Sequence, residues 1–381
     1  MSIYYQRQLK IPHNKSFFLF GPRGTGKTTW IKNNFPEAIY INLLKPEIYN
    51  HLLANPEKLE DFIVDKFSDW IIIDEVQKVP ELLNEVHRLI ESKGYKFILT
   101  GSNARKLRQK RVNLLAGRAL VLNMYPLVTE ELKEDFNLKT SLRFGNMPAI
   151  YNEGDKEGYL EAYAMTYLQQ EVLQEGWIKN LPAFSRFLRI ASFSQGSLLN
   201  ISEVARECAV NRKVVENYFS ILDDLLVAYF LPPFKKRAKR ESVKHSKFYY
   251  FDVGIYRTLR PRGPLDISTE IDGAGLETLV LQELKAIGEY NKLGYKVYFW
   301  RTVSGLEVDF VLYGEKHFVA IEVKRKTSVS SKDLRGLKMF LKDYPEAKGV
   351  LLYGGAEKLY YDNIEVIPLT DFFKDVQAIL S

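Results

Sequence analysis

The segment GPRGTGKTT, at positions 21–29, constrains the fold of this chain more than any other feature. It follows the apolar run FFLF and has Gly21, Gly26, Lys27 and Thr28 at the spacing of a phosphate-binding loop. Such a loop joins a strand to a helix, because its glycines turn backbone N–H groups around phosphates and the helix N-terminus adds partial positive charge. The segment therefore predicts a strand, a phosphate loop and a helix, and a glycine-rich turn that merely contains lysine is the alternative.

The same loop predicts how the expected cofactors, ATP and Mg²⁺, would be held. Lys27 would reach the β- and γ-phosphates, and the hydroxyl of Thr28 would be a ligand of magnesium. The other residues predicted to bind the nucleotide are Gly21, Pro22, Arg23, Gly24, Thr25, Gly26 and Thr29.

A second acidic element follows in WIIIDE, where an unbroken apolar run ends at Asp74 and Glu75. Asp74 would bind magnesium directly or through water. Glu75 would polarise the attacking water, and this step separates a hydrolase from a nucleotide-binding protein. The alternative is a carboxylate pair that caps the next helix.

The run KFILT leads to a third polar position at its end, Gly101-Ser102-Asn103. We favour Asn103 as a contact to the γ-phosphate or to water. A turn or a helix N-cap would explain the same residues.

Five apolar runs between Ser16 and about Met124 alternate with amphipathic stretches and predict the fold class of this region. The pattern is typical of a parallel sheet covered by helices on both faces, which is an α/β fold of the P-loop NTPase type. WIIID lacks polar alternation and should be a central strand. The runs are FFLF, AIYINL, WIIID, KFILT and ALVLNM.

The chain is too long for one ordinary core, since its 381 residues exceed the roughly 250–300 at which cores divide. We predict a P-loop ATPase domain at 1–135, a helical and winged helix-turn-helix region at 136–258, and a small α/β domain at 259–381. Helical periodicity over 157–230 supports the second. A long helix from about Gly273, followed by KVYFW, VDFVLY, FVAIEVK and GVLLYG, supports the third.

Composition narrows the environment and the partners. Cys208 is the single cysteine, so disulfide and metal-thiolate scaffolds are excluded and an inert core thiol is expected. No run approaches a signal peptide or a membrane helix, so we expect a cytoplasmic protein without a membrane partner. The formal charge of +7 makes a polyanion a plausible partner only where the charge is clustered.

The motifs together resemble the bacterial and archaeal AAA-like ATPases with an uncharacterised C-terminal region. The resemblance implies a AAA-type sheet, a helical and winged-helix middle, a C-terminal fold like that of restriction endonucleases, and no settled biological role. It covers nearly the whole chain, through GPRGTGKTT, DEVQKVPELLNEVHRLIE, LTGSNARKL, LAGRALVLNMYPLVTEEL, FWRTVSGLEVDFVLY and AIEVKRK.

In AAA-type enzymes an arginine from a neighbouring subunit often completes the site. Arg118, in LAGR, is the candidate for such a finger, and Arg105 and Arg111 are its rivals. A plain surface salt bridge is the alternative for all three. A homo-oligomer is therefore a possible assembly.

The segment ISEVARECAVNRKVVENYFSILDDLLVAYFL predicts two helices joined at Val210-Asn211, with Ser202 and Asn211 as N-caps. This is the helix-turn-helix pattern. Arg212 and Lys213 would lie outward on the second helix and contact DNA, unless the motif serves only for packing.

A basic segment follows directly, and seven of its cations oppose Glu241 alone. A hairpin with such a tip would be a wing suited to phosphate contacts, and a solvated loop is the alternative. The proposed nucleic-acid contacts here are Lys235, Lys236, Arg237, Lys239 and Arg240, with Lys244 and Lys247 in the same segment.

Near the C-terminus, period-two alternation in EVDFVLY and AIEVK would bring Asp309, Glu322 and Lys324 together beneath a partly buried Glu277. This is the D…ExK arrangement of restriction-endonuclease-like enzymes, in which carboxylates hold magnesium and lysine positions or activates water. The residues form either a nuclease-like site or a polar network in an inert module.

These observations favour an ATP hydrolase (EC 3.6 type) that acts as a switch or motor and engages DNA through its basic C-terminal half. One rival is a regulatory nucleotide sensor that binds a protein partner. Another is a nuclease gated by ATP.

Overall fold

The computed structural model describes residues 3–12, 14–102, 115–174, 178, 180–236, 240, 243–264 and 266–380. Contacts divide the chain into two compact units. The N-terminal unit comprises Gln6–Tyr125 and Asp224–Leu226, and the C-terminal unit comprises Met1–Tyr5, Pro126–Asp223 and Val227–Ser381. The finer division into three domains stays a prediction. Within these described ranges no helix is both long and apolar enough to cross a membrane.

The N-terminal unit is built on a sheet whose described strands run in the order β2-β3-β4-β1-β5. Every neighbouring pair is parallel. The prediction of a parallel α/β sheet of the P-loop NTPase type is therefore confirmed. The strands are β1 Ser16–Phe20, β2 Ile39–Asn42, β3 Trp70–Asp74, β4 Lys96–Gly101 and β5 Ala119–Asn123, and the described helices are α1 Lys27–Asn34, α2 Pro46–Ala54 and α3 Leu82–Lys93.

Alternate side chains of β1 show why this sheet is covered on both faces. Phe18 and Phe20 stack on each other and join the main apolar core. Phe17 points the other way and packs edge-on against Trp30 and Trp70. Because both faces bury aromatic rings, the strand is apolar from Phe17 to Phe20, as is typical of a central parallel strand.

The C-terminal unit begins with a helical region and a three-stranded antiparallel sheet of order β6-β8-β7. The described helices up to this sheet are α4 Thr129–Leu132, α5 Leu138–Phe144, α6 Lys156–Ala162, α7 Leu168–Gln174, α8 Leu181–Ala191, α9 Ile201–Cys208 and α10 Arg212–Asp224, with a π-helical turn at Tyr163–Tyr167. The strands are β6 Ser197–Leu198, β7 Ala228–Leu231 and β8 Lys247–Tyr250.

Helices α9 and α10 form the expected pair, joined through Ala209 in a left-handed conformation (φ 54°). Asn211 caps α10 as predicted, because its Oδ1 accepts from Val214 N at 3.0 Å. The prediction for Ser202 was wrong. Asn200 caps α9 instead and accepts from Glu203 N, and Ser202 lies inside the first turn.

A six-stranded sheet of order β13-β14-β12-β11-β10-β9 completes the described C-terminal unit. β9, β10 and β11 form an antiparallel meander, whereas β11, β12 and β14 are parallel. The helices are α11 Val253–Leu259, α12 Ser268–Tyr290, α13 Arg335–Asp343, α14 Leu369–Lys374 and α15 Val376–Leu380. The strands are β9 Lys296–Arg301, β10 Glu307–Tyr313, β11 Phe318–Lys324, β12 Lys348–Tyr353, β13 Leu359–Tyr361 and β14 Ile364–Pro368.

Helix α12 is buried along most of its length and carries a carboxyl group into the core of the C-terminal unit. The carboxylate of Glu283 is fully buried and accepts hydrogen bonds from Thr129 N (2.9 Å) and Thr129 Oγ1 (3.3 Å). Burial raises the pKa of Glu283 to about 8, against the lowering effect of these hydrogen bonds.

Candidate functional site

The phosphate loop folds around the ammonium of its own lysine. Lys27 Nζ donates to the carbonyl oxygens of Gly21 (2.6 Å) and Pro22 (3.1 Å). Gly24 and Gly26 both have positive φ angles, 83° and 88°. L-residues with a Cβ rarely adopt this conformation, so the glycines are needed to turn the loop.

Gly21 is required for a different reason, close packing. A Cβ at this position would lie 2.4 Å from the carbonyl oxygen of Met124. The backbone just after β1 and the backbone just after β5 are therefore in close contact. This contact positions the start of the phosphate loop.

Arg7 stabilises the same loop through hydrogen bonds to the backbone. It was not predicted from the sequence. It is buried, with 9% of its surface exposed. Its Nη1 donates to Thr25 O (2.7 Å) and its Nη2 donates to Tyr125 O (2.6 Å). No motif surrounds Arg7 in the sequence, and only the fold brings it to the loop.

Asp74 ends β3 and lies buried in a hydrogen-bond network. Its carboxylate accepts from the hydroxyls of Tyr40, on β2, and Thr100, on β4. Burial and the bond to Asp74 raise the pKa of Tyr40, and Thr28 acts in the opposite direction. The network therefore gathers Thr28, Tyr40 and Asp74 at the carboxyl ends of the strands.

These groups fit a magnesium ion. Magnesium prefers carboxylate and other oxygen ligands beside substrate phosphates, and Thr28 and Asp74 supply such oxygens next to the loop. Tyr40 and Thr100 hold the Asp74 carboxylate in place, although neither was predicted from sequence. Their only sequence signal is their position near the ends of apolar runs.

Glu75 adopts a left-handed conformation (φ 62°, ψ 46°) directly after β3. Its N–H donates to Thr100 Oγ1 at 3.1 Å, and its carboxylate accepts from Gln77 Nε2. The same Nε2 lies 3.4 Å from Ser102 Oγ. In this conformation, Gln77 therefore holds the carboxylate that was predicted to polarise water.

Gln77 is itself packed tightly. Only 3% of its surface is exposed, and among the described residues its Oε1 has no hydrogen-bond partner. A Cβ at Gly101 would lie 2.5 Å from that oxygen. A larger residue at 101 would thus displace Gln77 and, with it, the Glu75 carboxylate.

The remaining predicted catalytic residues are placed differently. Asn103, Arg105 and Arg111 lie outside the described residues. Arg118 is partly exposed and forms an ion pair with Glu91. Its role as a finger for a neighbouring subunit stays a prediction.

The fold brings the predicted nuclease-like residues into one cluster in the C-terminal unit. Asp309 Oδ2 accepts from Val323 N at 2.9 Å, which links β10 to β11. Lys324 Nζ donates to Glu322 Oε1 at 2.5 Å. Glu277, on α12, accepts from the hydroxyl of Tyr249 at 2.9 Å.

Lys247 enters the same cluster, and here the sequence interpretation was wrong. It was placed in the basic patch of the predicted wing, but it begins β8 and has only 1% of its surface exposed. Its Nζ forms an ion pair with Glu307 and lies 3.5 Å from Asp309 Oδ1 and 3.9 Å from Glu277 Oε2. Alternation along β8, which places Lys247 and Tyr249 on one face, is the signal that would have found it.

Burial and mutual repulsion shift the protonation of these carboxyls. The pKa of Glu277 is raised to about 7 and that of Glu322 to about 8, in both cases first by burial and then by the charge of Asp309. Burial lowers the pKa of Lys247, but nearby Tyr249 and the carboxylates outweigh it and the pKa is raised overall. The lysine is therefore the charged partner of the cluster.

A divalent ion does not fit this cluster as arranged. Among the described residues, no group of three His, Cys, Asp or Glu side chains is placed to hold a metal. The ammonium of Lys247 lies between Glu277, Glu307 and Asp309 and already neutralises charge there. The magnesium implied by a restriction-endonuclease-like fold is thus not supported by the side-chain geometry.

The predicted nucleic-acid contacts are placed as follows. Arg212 and Lys213 are both exposed on α10, and Arg212 pairs with Glu216 at 2.8 Å. Lys235 is exposed, and Lys236 Nζ lies 4.1 Å from the ring centre of Tyr313. Arg237 and Lys239 lie outside the described residues, and Arg240 Nε donates to Asp343 Oδ2 at 2.7 Å.

Comparison with known families divides the chain into three parts. Residues 13–133 match the family described as AAA domain. Residues 135–268 match a domain of unknown function (DUF8612), and residues 272–372 match another, DUF4143.

Two relatives match most of this chain. An uncharacterized protein of Methanocaldococcus jannaschii is 24% identical over 95% of this chain and 88% of its own length. One of Haemophilus influenzae is 22% identical over 80% of this chain and 77% of its own. Among solved structures, the Aeropyrum pernix ORC1 protein in complex with DNA is 12% identical over 64% of this chain and 86% of that one, with a TM-score of 0.30.

The family matches agree with the geometry of the N-terminal unit, in which a phosphate loop and an acidic strand end share one edge of a parallel sheet. They confirm the expected combination of an AAA domain, at 13–133, with a C-terminal domain of unknown function, at 272–372.

Proposed function

We propose that this chain is a magnesium-dependent ATP hydrolase of the AAA type, which acts as a switch or motor and engages DNA through its basic C-terminal half. The observation on which the proposal depends is the meeting of three elements at one sheet edge. The phosphate loop follows β1, Thr100 lies on β4, and Asp74 ends β3, with Glu75 directly after it.

In this proposal the loop binds nucleotide by exchanging partners. Lys27 would leave the carbonyl oxygens of Gly21 and Pro22 and take phosphate oxygens instead, because a charged donor binds an anionic acceptor more strongly. The Thr28 hydroxyl and the Asp74 carboxylate would hold magnesium, which neutralises charge on the phosphates.

Glu75 is the proposed general base. A carboxylate beside the γ-phosphate can orient the attacking water and accept its proton. Its backbone is anchored by Thr100, so its side chain can move while its Cα stays in place. The hydrogen bond to Gln77 must break or rotate before the carboxylate can reach water.

That hydrogen bond also supports a second candidate function, a nucleotide sensor with slow turnover. A base held by an amide in the resting state would hydrolyse ATP slowly until a partner moved it. The two functions differ in how turnover responds to a partner, and they share the same binding site.

DNA engagement is proposed from the exposed cations of the C-terminal unit. Arg212 and Lys213 begin helix α10 on its outer surface, and Lys235 lies exposed after β7. Cations at the start of an exposed helix and beside a hairpin suit phosphate contacts, which set affinity without reading sequence.

The deciding experiment measures ATP hydrolysis by the purified full-length chain alone, with single-stranded DNA and with duplex DNA. Stimulation by either DNA supports a DNA-coupled ATPase. Appreciable hydrolysis that DNA leaves unchanged would contradict the coupling, and ATP binding with negligible hydrolysis in all three samples would favour the sensor.

A further inference from the structure

The C-terminal carboxylate cluster brings several acidic side chains close together away from solvent. Glu277, Glu307 and Asp309 converge from α12 and β10, and the side chains of all three are at most 24% exposed. Converging carboxylates removed from water need a nearby cation, because an unpaired buried charge is strongly destabilising. In enzymes such a cation is often a metal ion.

Here the chain supplies a cation of its own. Lys247 is almost completely buried, and its Nζ contacts all three carboxylates, as an ion pair with Glu307 and at 3.5 and 3.9 Å from Asp309 and Glu277. A second lysine, Lys324, pairs with Glu322 at 2.5 Å. Every described carboxylate of the cluster thus has an ammonium partner.

Asp309 and Glu307, the carboxylates nearest to Lys247, have both of their oxygen atoms engaged, whereas Glu322 Oε2 is buried and has no hydrogen-bond partner among the described residues. Asp309 Oδ2 accepts from the backbone of Val323, and its Oδ1 faces Lys247. Glu307 Oε2 accepts from Arg301 Nη1 at 2.9 Å, and its Oε1 pairs with Lys247. A divalent ion could bind only after displacing Lys247, since two cations repel each other at such distances.

Lys247 also joins parts of the unit that are distant in sequence. It begins β8 of the three-stranded sheet, whereas Glu307 and Asp309 lie on β10 of the six-stranded sheet and Glu277 lies on α12. Its partner on β8, Tyr249, is bonded to Glu277 as well. The cluster is therefore a joint between two sheets and a helix.

We propose that the Lys247 ammonium takes the place of a divalent metal ion in this cluster, so that the cluster is a metal-independent structural joint and not a nuclease centre. The proposal is independent of ATP hydrolysis, because it concerns only the C-terminal unit.

The test measures Mn²⁺ binding by electron paramagnetic resonance and calorimetry on the full-length chain. Asp74→Asn is present in every sample, so that binding near the phosphate loop does not contribute. We compare the intact cluster, Lys247→Met and Lys244→Met, since Lys244 is an exposed lysine of the same segment and provides a matched control.

We expect no Mn²⁺ bound at the intact cluster or in Lys244→Met. Lys247→Met should gain a Mn²⁺ site at least tenfold tighter than either, and adding Asp309→Asn should remove it. Lys247→Met should also melt at a lower temperature than Lys244→Met, and Mn²⁺ should restore part of the loss. Lys247→Arg should stay folded and free of Mn²⁺.

Two results would overturn the proposal. One is Mn²⁺ binding to the intact cluster that Asp309→Asn abolishes, because the lysine would then coexist with a metal. The other is a folded Lys247→Met protein that gains no Mn²⁺ site. If Lys247→Met fails to fold, the comparison of the intact cluster with Asp309→Asn still decides: absence of bound Mn²⁺ in both supports the joint, and binding in the intact protein alone contradicts it.

Discussion

Replacing Arg7 with alanine should weaken the nucleotide site, although Arg7 belongs to no phosphate-loop motif. Arg7 is buried and donates to Thr25 O and Tyr125 O at 2.7 and 2.6 Å. Its loss removes both bonds and leaves two carbonyl oxygens without this donor. Thr25 belongs to the phosphate loop, so the defect should reach nucleotide binding as well as stability.

The expected magnitude follows from the two bonds. Hydrogen bonds to a charged group contribute about 1.5–3 kcal/mol each, so the loss of two such bonds in Arg7→Ala should cost roughly 3–6 kcal/mol of stability in the N-terminal unit. Solvent screening reduces this figure little, because the guanidinium is buried. A loosened loop should also weaken ATP binding by about tenfold or more, which corresponds to at least 1.4 kcal/mol.

The assay combines calorimetric unfolding with titration of a fluorescent ATP analogue. Lys10→Ala is the matched control, since Lys10 is an exposed cation of the same segment. It should change stability by less than about 0.5 kcal/mol. If Arg7→Ala unfolds and binds nucleotide as Lys10→Ala does, Arg7 does not stabilise the phosphate loop.

Three further outcomes are expected. Stability that depends on Glu283 should fall as pH rises from about 4.5 to 8, because the folded state keeps a proton that the unfolded state releases. Melting curves across this range should show a steeper slope in wild type than in Glu283→Gln, and equal slopes would contradict the role of Glu283. Neutralising the exposed cations of the C-terminal unit should weaken binding of all duplex sequences alike. The slope of log binding constant against log salt concentration should fall by about 0.9 per lost contact. An unchanged slope would mean that these lysines and arginines are ordinary solvated side chains. If Arg118 acts on a neighbouring subunit, specific ATPase activity should rise with protein concentration and Arg118→Ala should abolish the rise; a fully active monomer would exclude this role.

Local sequence was sufficient to predict the elements of the N-terminal sheet. The inner strands β1 and β3 are buried apolar runs, because both faces are covered, and such runs stand out without knowledge of partners. Lys27, Asp74 and Glu75 could be singled out for a similar reason, since each belongs to a short motif at a strand end. Their chemical roles stay predictions.

Residues that act through distant contacts could not be found in this way. Arg7 reaches the loop only through the fold, and Tyr40 and Thr100 meet Asp74 because three strands lie side by side. Lys247 was assigned to the basic patch because it lies among six other cations in the sequence, whereas its carboxylate partners lie on α12 and β10. Burial of a charge depends on partners that a local window does not contain.

The central claim, that this site hydrolyses ATP, is tested most directly by measuring ATP binding and ATP hydrolysis on the same preparations of wild type, Lys27→Ala and Glu75→Gln. Lys27→Ala should lose tight binding or turnover, because the phosphates lose their cation. Glu75→Gln should bind ATP as wild type does and lose hydrolysis, because a neutral amide cannot accept the proton of water. Wild-type turnover in Glu75→Gln would contradict the assignment of the base, and wild-type binding and turnover in Lys27→Ala would contradict the nucleotide site itself.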